Sequence, residues 1–432
     1  MKFIILPHQL FSEKYLDKNY SYILWEHPHY FTKYDYNKKK LLLHRSSMQI
    51  YFTTMKKKNY RIKYLEFNQT IMKHDHYVMF DPIDRINFGI NNLTIIESPN
   101  FLLSKHQYEM YIQKTKHFIF NNFYRWGKQE LNIIPNIKSQ DKYNRKSLPR
   151  NIIIPTTSTL SNTNEQLIIK KAKIYIEKHF IKNPGNIENF IYPISHKTTK
   201  KWLHRWVENK FKKFGDFQDA IDSRDSFLYH SVLSSSINIG LINPSDIIAI
   251  IREYKNTTPL NSYEGYVRQL FWREYQRYCY IYYNFDMKNY FNDNKKLTKA
   301  WYTGNTGIDP IDSCIIRGFD QAYLNHIERL MIIGNYMVLS GIDPSEGFKW
   351  FMEMSCDSYE WVMTQNVLDM VFFVSGGVTM RRPYFSSSNY IKKMGNYEKG
   401  KWCDIWDDLY KKFKKEKKEK LWKFRYFFPG LI

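Results

Sequence analysis

Glycine is scarce in this chain: 17 occur in 432 residues, and the first is Gly89. A glycine-rich phosphate loop of the G-x-G-x-x-G kind at the head of the chain is therefore excluded. Cysteine is rarer still. Cys279, Cys314, Cys356 and Cys403 lie far apart with no C-x-x-C pair. Their spacing argues against a zinc site or a disulfide framework and for buried free thiols in a reducing compartment. No apolar stretch approaches the roughly 18 residues that cross a bilayer. The opening MKFIILPHQLF has too short an apolar run for a secretory signal and reads as a first strand. No internal repeat is present. Acidic residues are in deficit, with 42 Asp and Glu against 65 Lys and Arg and a formal charge of +23. Such a surplus calls for a polyanion. Nucleic acid is favoured over a membrane surface, because neutralised phosphates release counterions.

What is abundant is aromatic and aliphatic: 18% and 43% aromatic and hydrophobic residues describe a folded protein. The Ile, Asn, Lys and Tyr bias fits an AT-rich genome, so part of the Lys and Tyr excess is codon drift. The expected setting is intracellular and soluble, in the cytoplasm or nucleoid of a low-GC organism, or a virus-encoded protein. The length leaves room for two or three domains. Residues 1–130 alternate strand and helix: MKFIIL, SYILW, YRIKYLEF and LTIIES read as strands, with the amphipathic helix NKKKLLLHRSSMQIYFTTMKKK between the second and third. That is the grammar of a parallel α/β sheet. Residues 131–165 are polar and broken, a linker or surface loop. From 166 to 432 the pattern is almost entirely helical. Gly215 reads as a helix stop, and Asn243-Pro244 and Asp343-Pro344 as helix starts. The basic run KKFKKEKKEKLWKFR near the end is either a solvated face or a phosphate-binding arm.

The most informative stretch is Trp301 to Gly341. Thr303-Gly304 and Thr306-Gly307 make a tight turn that lets backbone come close to another group. From about Ile311 the pattern predicts one helix. Phe319, Ala322, Tyr323, Ile327, Leu330 and Met331 share its apolar face, and Gly341 stops it. His326 and Arg329, three apart, lie on neighbouring turns and can address one ligand.

W-x-T-G-x-T-G, Pro310, Asp312 fourteen residues before His326, and Arg329 together resemble the flavin-binding core of the photolyase/cryptochrome family. The resemblance covers nearly the whole chain and implies a Rossmann-like antenna domain, holding an unidentified light-harvesting pigment, before a larger all-α FAD-binding domain. DKYNRKSLP resembles the segment joining the two domains in bacterial iron–sulfur photolyases. Its Lys142, Arg145, Lys146 and Arg150 either touch DNA phosphates or belong to a solvated loop. YHSVLS looks like the flavin-phosphate loop, with Tyr229, Ser231, Leu233 and Ser234 matching; small hydroxyls and backbone amides suit a pyrophosphate. Read alone, it is a Ser-rich helix cap. Trp272 and Arg273 match the W-R-E that lines the lesion pocket, where an indole can stack on a flipped-out base. Gln269 stands where enzymes for cyclobutane dimers carry a Glu and is assigned to the flavin-facing set. Residues 360–397 resemble a long block of the iron–sulfur class. There Gly376 and Gly377 would let backbone approach the flavin ring, and Trp361 serves either an electron path or the core.

Departures from the family are equally specific. Ser375 replaces an Asp expected to face the flavin and pair with Arg329. Arg381 stands where the class places the residue facing the reactive flavin nitrogen, and a cation there would favour an anionic reduced ring. Tyr397-Glu398-Lys399-Gly400-Lys401 replaces the Y-C-x-x-C of the class. Four thiolates hold such a cluster, so neither an iron–sulfur cluster nor any other metal is expected. His326 falls where enzymes for (6-4) photoproducts have His and those for cyclobutane dimers have Asn. A (6-4) product must move a hydroxyl between bases, which needs a proton donor, and a His near neutral pKa suits that. The implied function is light-driven repair of pyrimidine dimers in DNA by a monomeric enzyme with reduced FAD, (6-4) products favoured. Cyclobutane-dimer repair and a cryptochrome-like photoreceptor without repair are the alternatives.

Overall fold

Five short runs of β-branched and aromatic residues build one all-parallel sheet: β1 (Lys2–Ile5), β2 (Ser21–Trp25), β3 (Ile62–Leu65), β4 (His76–Phe80) and β5 (Asn92–Ile96), in the order β3-β2-β1-β4-β5. The computed structural model describes every residue except 158, 429, 430 and 432. β1 is central, with Phe3 opposite Tyr22 on one side and Val78 on the other. Such parallel strands need both faces covered, which is why Phe3, Ile4 and Ile5 are buried. The predicted helix runs over Lys38–Lys57, started by the Asn37 side chain, which accepts the Lys39 amide at 2.9 Å. β4 was not among the predicted strands. Its HYVMF sits behind a polar KHDH run that hides the apolar stretch, yet Tyr77–Phe80 are buried. The outermost β5 is mostly exposed.

Past residue 165 every regular element among the described residues is helical, apart from one isolated bridge between Lys295 and Ile342. The long helix Leu260–Tyr282 forms the spine of this body. Gly215 is not a stop. It lies within the helix Phe211–Phe217, where a Cβ would come within 2.5 Å of the Asn261 and Ser262 backbone. Glycine there permits helix contact rather than termination. The predicted helix from Ile311 to Gly341 is in fact two. Asp309–Gln321 ends at Ala322, held at φ 52°, and a new helix begins after Asn325. Asn325 Oδ1 accepts the Glu328 amide at 3.0 Å while Glu328 accepts the Asn325 amide at 3.3 Å. This reciprocal cap restarts the helix. The chain then runs as a π-helix over Glu328–Gly334 and finishes as Asn335–Leu339, with Gly341 beyond it at φ 75°. A second π-helix spans Thr364–Val371. A Cβ on Gly334 would meet Val371 Cγ1 at 2.6 Å, so this glycine lets the two segments touch. No helix among the described residues is long and apolar enough to cross a membrane.

Candidate functional site

A cavity of about 1200 Å³ opens inside the helical body. Ordinary small-molecule pockets hold about 300–1,000 Å³, so there is room for a large cofactor and part of a second ligand. Its apolar wall comes from both π-helices, through Leu330, Met331, Val367, Met370 and Val371. π-helical turns recur at functional sites. Among the described residues, eight Arg and Lys side chains line it against three Asp, an environment for anions.

The polar group with the most internal partners is a largely buried ion pair. Arg329 Nη1 donates to Asp357 Oδ1 at 2.9 Å and Nη2 to Oδ2 at 3.3 Å. Ser234 Oγ donates to Asp357 Oδ2 at 2.6 Å, and Asn238 Nδ2 donates to the Asp357 carbonyl at 2.9 Å. Burial by itself would raise the Asp357 pKa, but Arg329 and the Ser234 and Ser355 hydroxyls hold it below the ordinary carboxylate value. The partner of Arg329 is thus Asp357, not position 375. Arg273, also buried, donates to Asn238 Oδ1 and the Asn100 carbonyl and packs over Phe101 and Trp361. Its Nη2 is left without an acceptor.

The structure brings Ser231, Leu233, Ser234, Gln269, Trp272, Arg273, His326 and Arg329 to this one cavity. His326 is surrounded by the fold yet turns its ring into the open hollow, so it counts as exposed. Burial, then the charges of Arg329 and Arg268, push its pKa down to about 4. These neighbours lower the proton affinity of the imidazole relative to the near-neutral value expected from sequence. Trp272 has one face already covered, stacked on Phe120 at 3.7 Å between centroids and 10° between planes.

Other expected residues lie elsewhere. Tyr229 is buried in a small separate cluster with Phe217 and Leu228, and its carbonyl accepts from Trp206 Nε1 at 2.9 Å. Ser375 donates to Asp369 Oδ2 at 2.8 Å. Gly376 and Gly377 serve a close approach, though not to the cavity. A Cβ on Gly376 would lie 2.4 Å from the Tyr290 ring, and one on Gly377 3.1 Å from Phe424. The Lys423 ammonium donates to the Gly376 carbonyl at 2.6 Å, so the C-terminal basic run is partly spent on holding this turn. Arg381 points to solvent, while its neighbour Arg382 lines the cavity. The T-G-x-T-G turn is tied by Asp312, whose carboxylate accepts the Thr306 and Gly307 amides at 2.7 and 2.9 Å. It does not line the cavity. Lys142, Arg145, Lys146 and Arg150 are all exposed; Arg145 alone of them reaches the cavity, and Lys146 is paired with Asp216 at 2.9 Å.

Sequence reasoning missed Asp357, Asn238, Gln276 and Asn366. Gln276 donates to Asn366 at 2.7 Å on the cavity wall. Of these, Asp357 had a usable signal: a buried Arg needs a carboxylate, and Asp357 follows the buried helix end at Met354. The four cysteines are buried and free, and among the described residues no three His, Cys, Asp or Glu gather as metal ligands.

The fold is that of photolyases and cryptochromes. A bacterial class III photolyase from Agrobacterium tumefaciens superposes over 96% of this chain and 98% of its own, with a TM-score of 0.55 at 13% identity. A Synechocystis cryptochrome covers 96% and 88%, with a TM-score of 0.65 at 12% identity. The profile of a family described as deoxyribodipyrimidine photo-lyase-related protein matches residues 3–81 and 84–192. The (6-4) photolyase of Agrobacterium fabrum is 32% identical over 322 residues, 72% of this chain. That match spans 63% of the relative's own length. In sequence and in fold, this chain is similar to photolyases and cryptochromes.

Proposed function

We propose that this protein is a light-driven DNA-repair lyase that binds FAD in the 1200 Å³ cavity and acts on UV-induced pyrimidine dimers, (6-4) products foremost. Members of the family generally bind FAD. The observation that carries the reading is the Arg329–Asp357 pair with Ser234 and Asn238, a buried polar cradle in a basic hollow. It fits a flavin nucleotide: Arg273 retains a donor without a partner, and Ser231 and Ser234 face the same space. Bound reduced flavin would supply, on absorbing blue light, the electron that opens the lesion and takes it back. The protein's share is positioning. Arg329 and Asp357 orient the cofactor, Trp272 offers its free face to a base, and the apolar π-helical wall excludes water.

His326 is the residue assigned to the lesion. Phosphates and an anionic cofactor bound beside it would offset Arg329 and Arg268, raising the proton affinity of the imidazole toward neutrality. It would then pass a proton to the migrating hydroxyl. The test illuminates reduced protein with two oligonucleotides, each carrying one defined lesion. Restoration of the (6-4) product by wild type and its loss in His326→Ala is expected. Restoration of neither lesion ends the repair reading; full (6-4) repair by His326→Ala ends the role of His326. Cyclobutane repair unaffected by His326→Ala would instead favour the other dimer as substrate.

A further inference from the structure

At the mouth of the cavity lies a contact that this reading leaves unused. Arg268, on the spine helix, is 7% exposed and lines the cavity together with His326. Its Nη2 lies 2.7 Å from Asp141 Oδ1. Even so, neither its Nε nor its Nη2 meets any acceptor in hydrogen-bonding geometry. The pair therefore has charge attraction without alignment, and buried donors left unmatched are costly. Asp141 comes from the 131–165 segment and is 39% exposed. Its other oxygen accepts from Arg145 Nη2 at 2.8 Å, and Arg145 Nε stands 3.8 Å from Asp219. All four side chains line the cavity. The arginine is fixed in a helix; the aspartate sits on a short 3-10 turn, Asp141–Tyr143, at the surface.

A phosphodiester carries the same single charge as a carboxylate, and its two free oxygens match the guanidinium fork. We propose that Arg268 receives one phosphodiester of the bound DNA strand, and that Asp141 occupies that place in the free protein as a built-in competitor. This rests on the reading that the cavity takes DNA. Phosphate arriving at Arg268 displaces Asp141 and releases Arg145 to face the same strand. Only a strand whose backbone is drawn into the pocket, as when a base is flipped out, makes the exchange. Asp141 thereby raises the threshold for ordinary DNA.

The test uses the full chain and a fluorescently labelled undamaged single-stranded oligonucleotide, with affinity read by anisotropy at fixed salt. Asp141→Asn is expected to tighten binding about fivefold or more, because an internal anion no longer competes. Arg268→Gln is expected to weaken binding, and in that background Asp141→Asn should change affinity less than about twofold. Arg268→Lys, which keeps the charge but not the fork, covers the case in which the Gln variant does not fold, and should retain only part of the gain. No tightening in Asp141→Asn, or equal tightening without Arg268, overturns the inference while leaving the repair reading standing. Wild type that binds no oligonucleotide at any salt overturns both.

Discussion

Asn325 and Glu328 cap one another, each side chain accepting the other's backbone N–H, at 3.0 and 3.3 Å. Glu328 is also fully buried and paired with Arg317 at 2.8 Å. This joint sets the start of the helix that carries His326 and Arg329. Asn325→Ala should lose about 1–2 kcal/mol of stability, read by urea denaturation. It should also reduce the 450 nm absorbance of the purified protein relative to 280 nm, because both residues shift with the helix start.

Breaking the Arg329–Asp357 pair should be more severe. Arg329→Ala leaves a buried carboxylate alone and should cost about 3–5 kcal/mol, with loss of bound flavin. Asp357 is held below its ordinary pKa, so the pair contributes fully at neutral pH. Its contribution is lost only as pH falls through that depressed value, below the unpaired aspartate value of about 4. Acid titration of flavin fluorescence in wild type checks the direction.

Gly376→Ala separates packing from cofactor contact. With φ at 63° and the Tyr290 ring 2.4 Å from the new methyl, about 1–3 kcal/mol of stability should be lost. Flavin content per folded molecule should not change. A variant that stays stable but loses its colour would return this glycine to the flavin site.

Asp219 gives a pH signature of opposite sign. Burial, then Asp141, raises its pKa to about 6, against Arg145 and Arg268, which lower it. The folded chain therefore holds this proton more tightly than the unfolded one. Stability from this group is fullest below about pH 4 and declines as pH rises through 6, by on the order of 1–3 kcal/mol. Asp219→Asn should flatten that decline in denaturation curves taken from pH 4 to 8.

Much of this was legible in the residues. The strand–helix alternation, and the three-residue spacing of His326 and Arg329, follow from local pattern, and local pattern survives folding. What failed was whatever depended on a distant neighbour. Gly215 looked like punctuation because its reason, the Asn261 backbone, lies in another helix. Ser375 stands at the place of a missing carboxylate, while Asp357, unremarkable in sequence, supplies one to Arg329 from a distant part of the chain. Arg381 and Arg382 are adjacent letters with opposite outlooks, one to water and one to the hollow. The break at Ala322 had no propensity signal, since alanine is the strongest helix former.

The stacking of Trp272 on Phe120 reaches beyond the pocket. Phe120 begins the helix Phe120–Glu130, which precedes the polar segment 131–165, in the part of the chain that also carries the sheet. The indole is thus a shared wall between front and back. Severing the polypeptide near residue 150 and expressing only the later piece would leave that ring bare on both sides, a chamber missing its door-post, and the two pieces would have to be reunited before either could be judged.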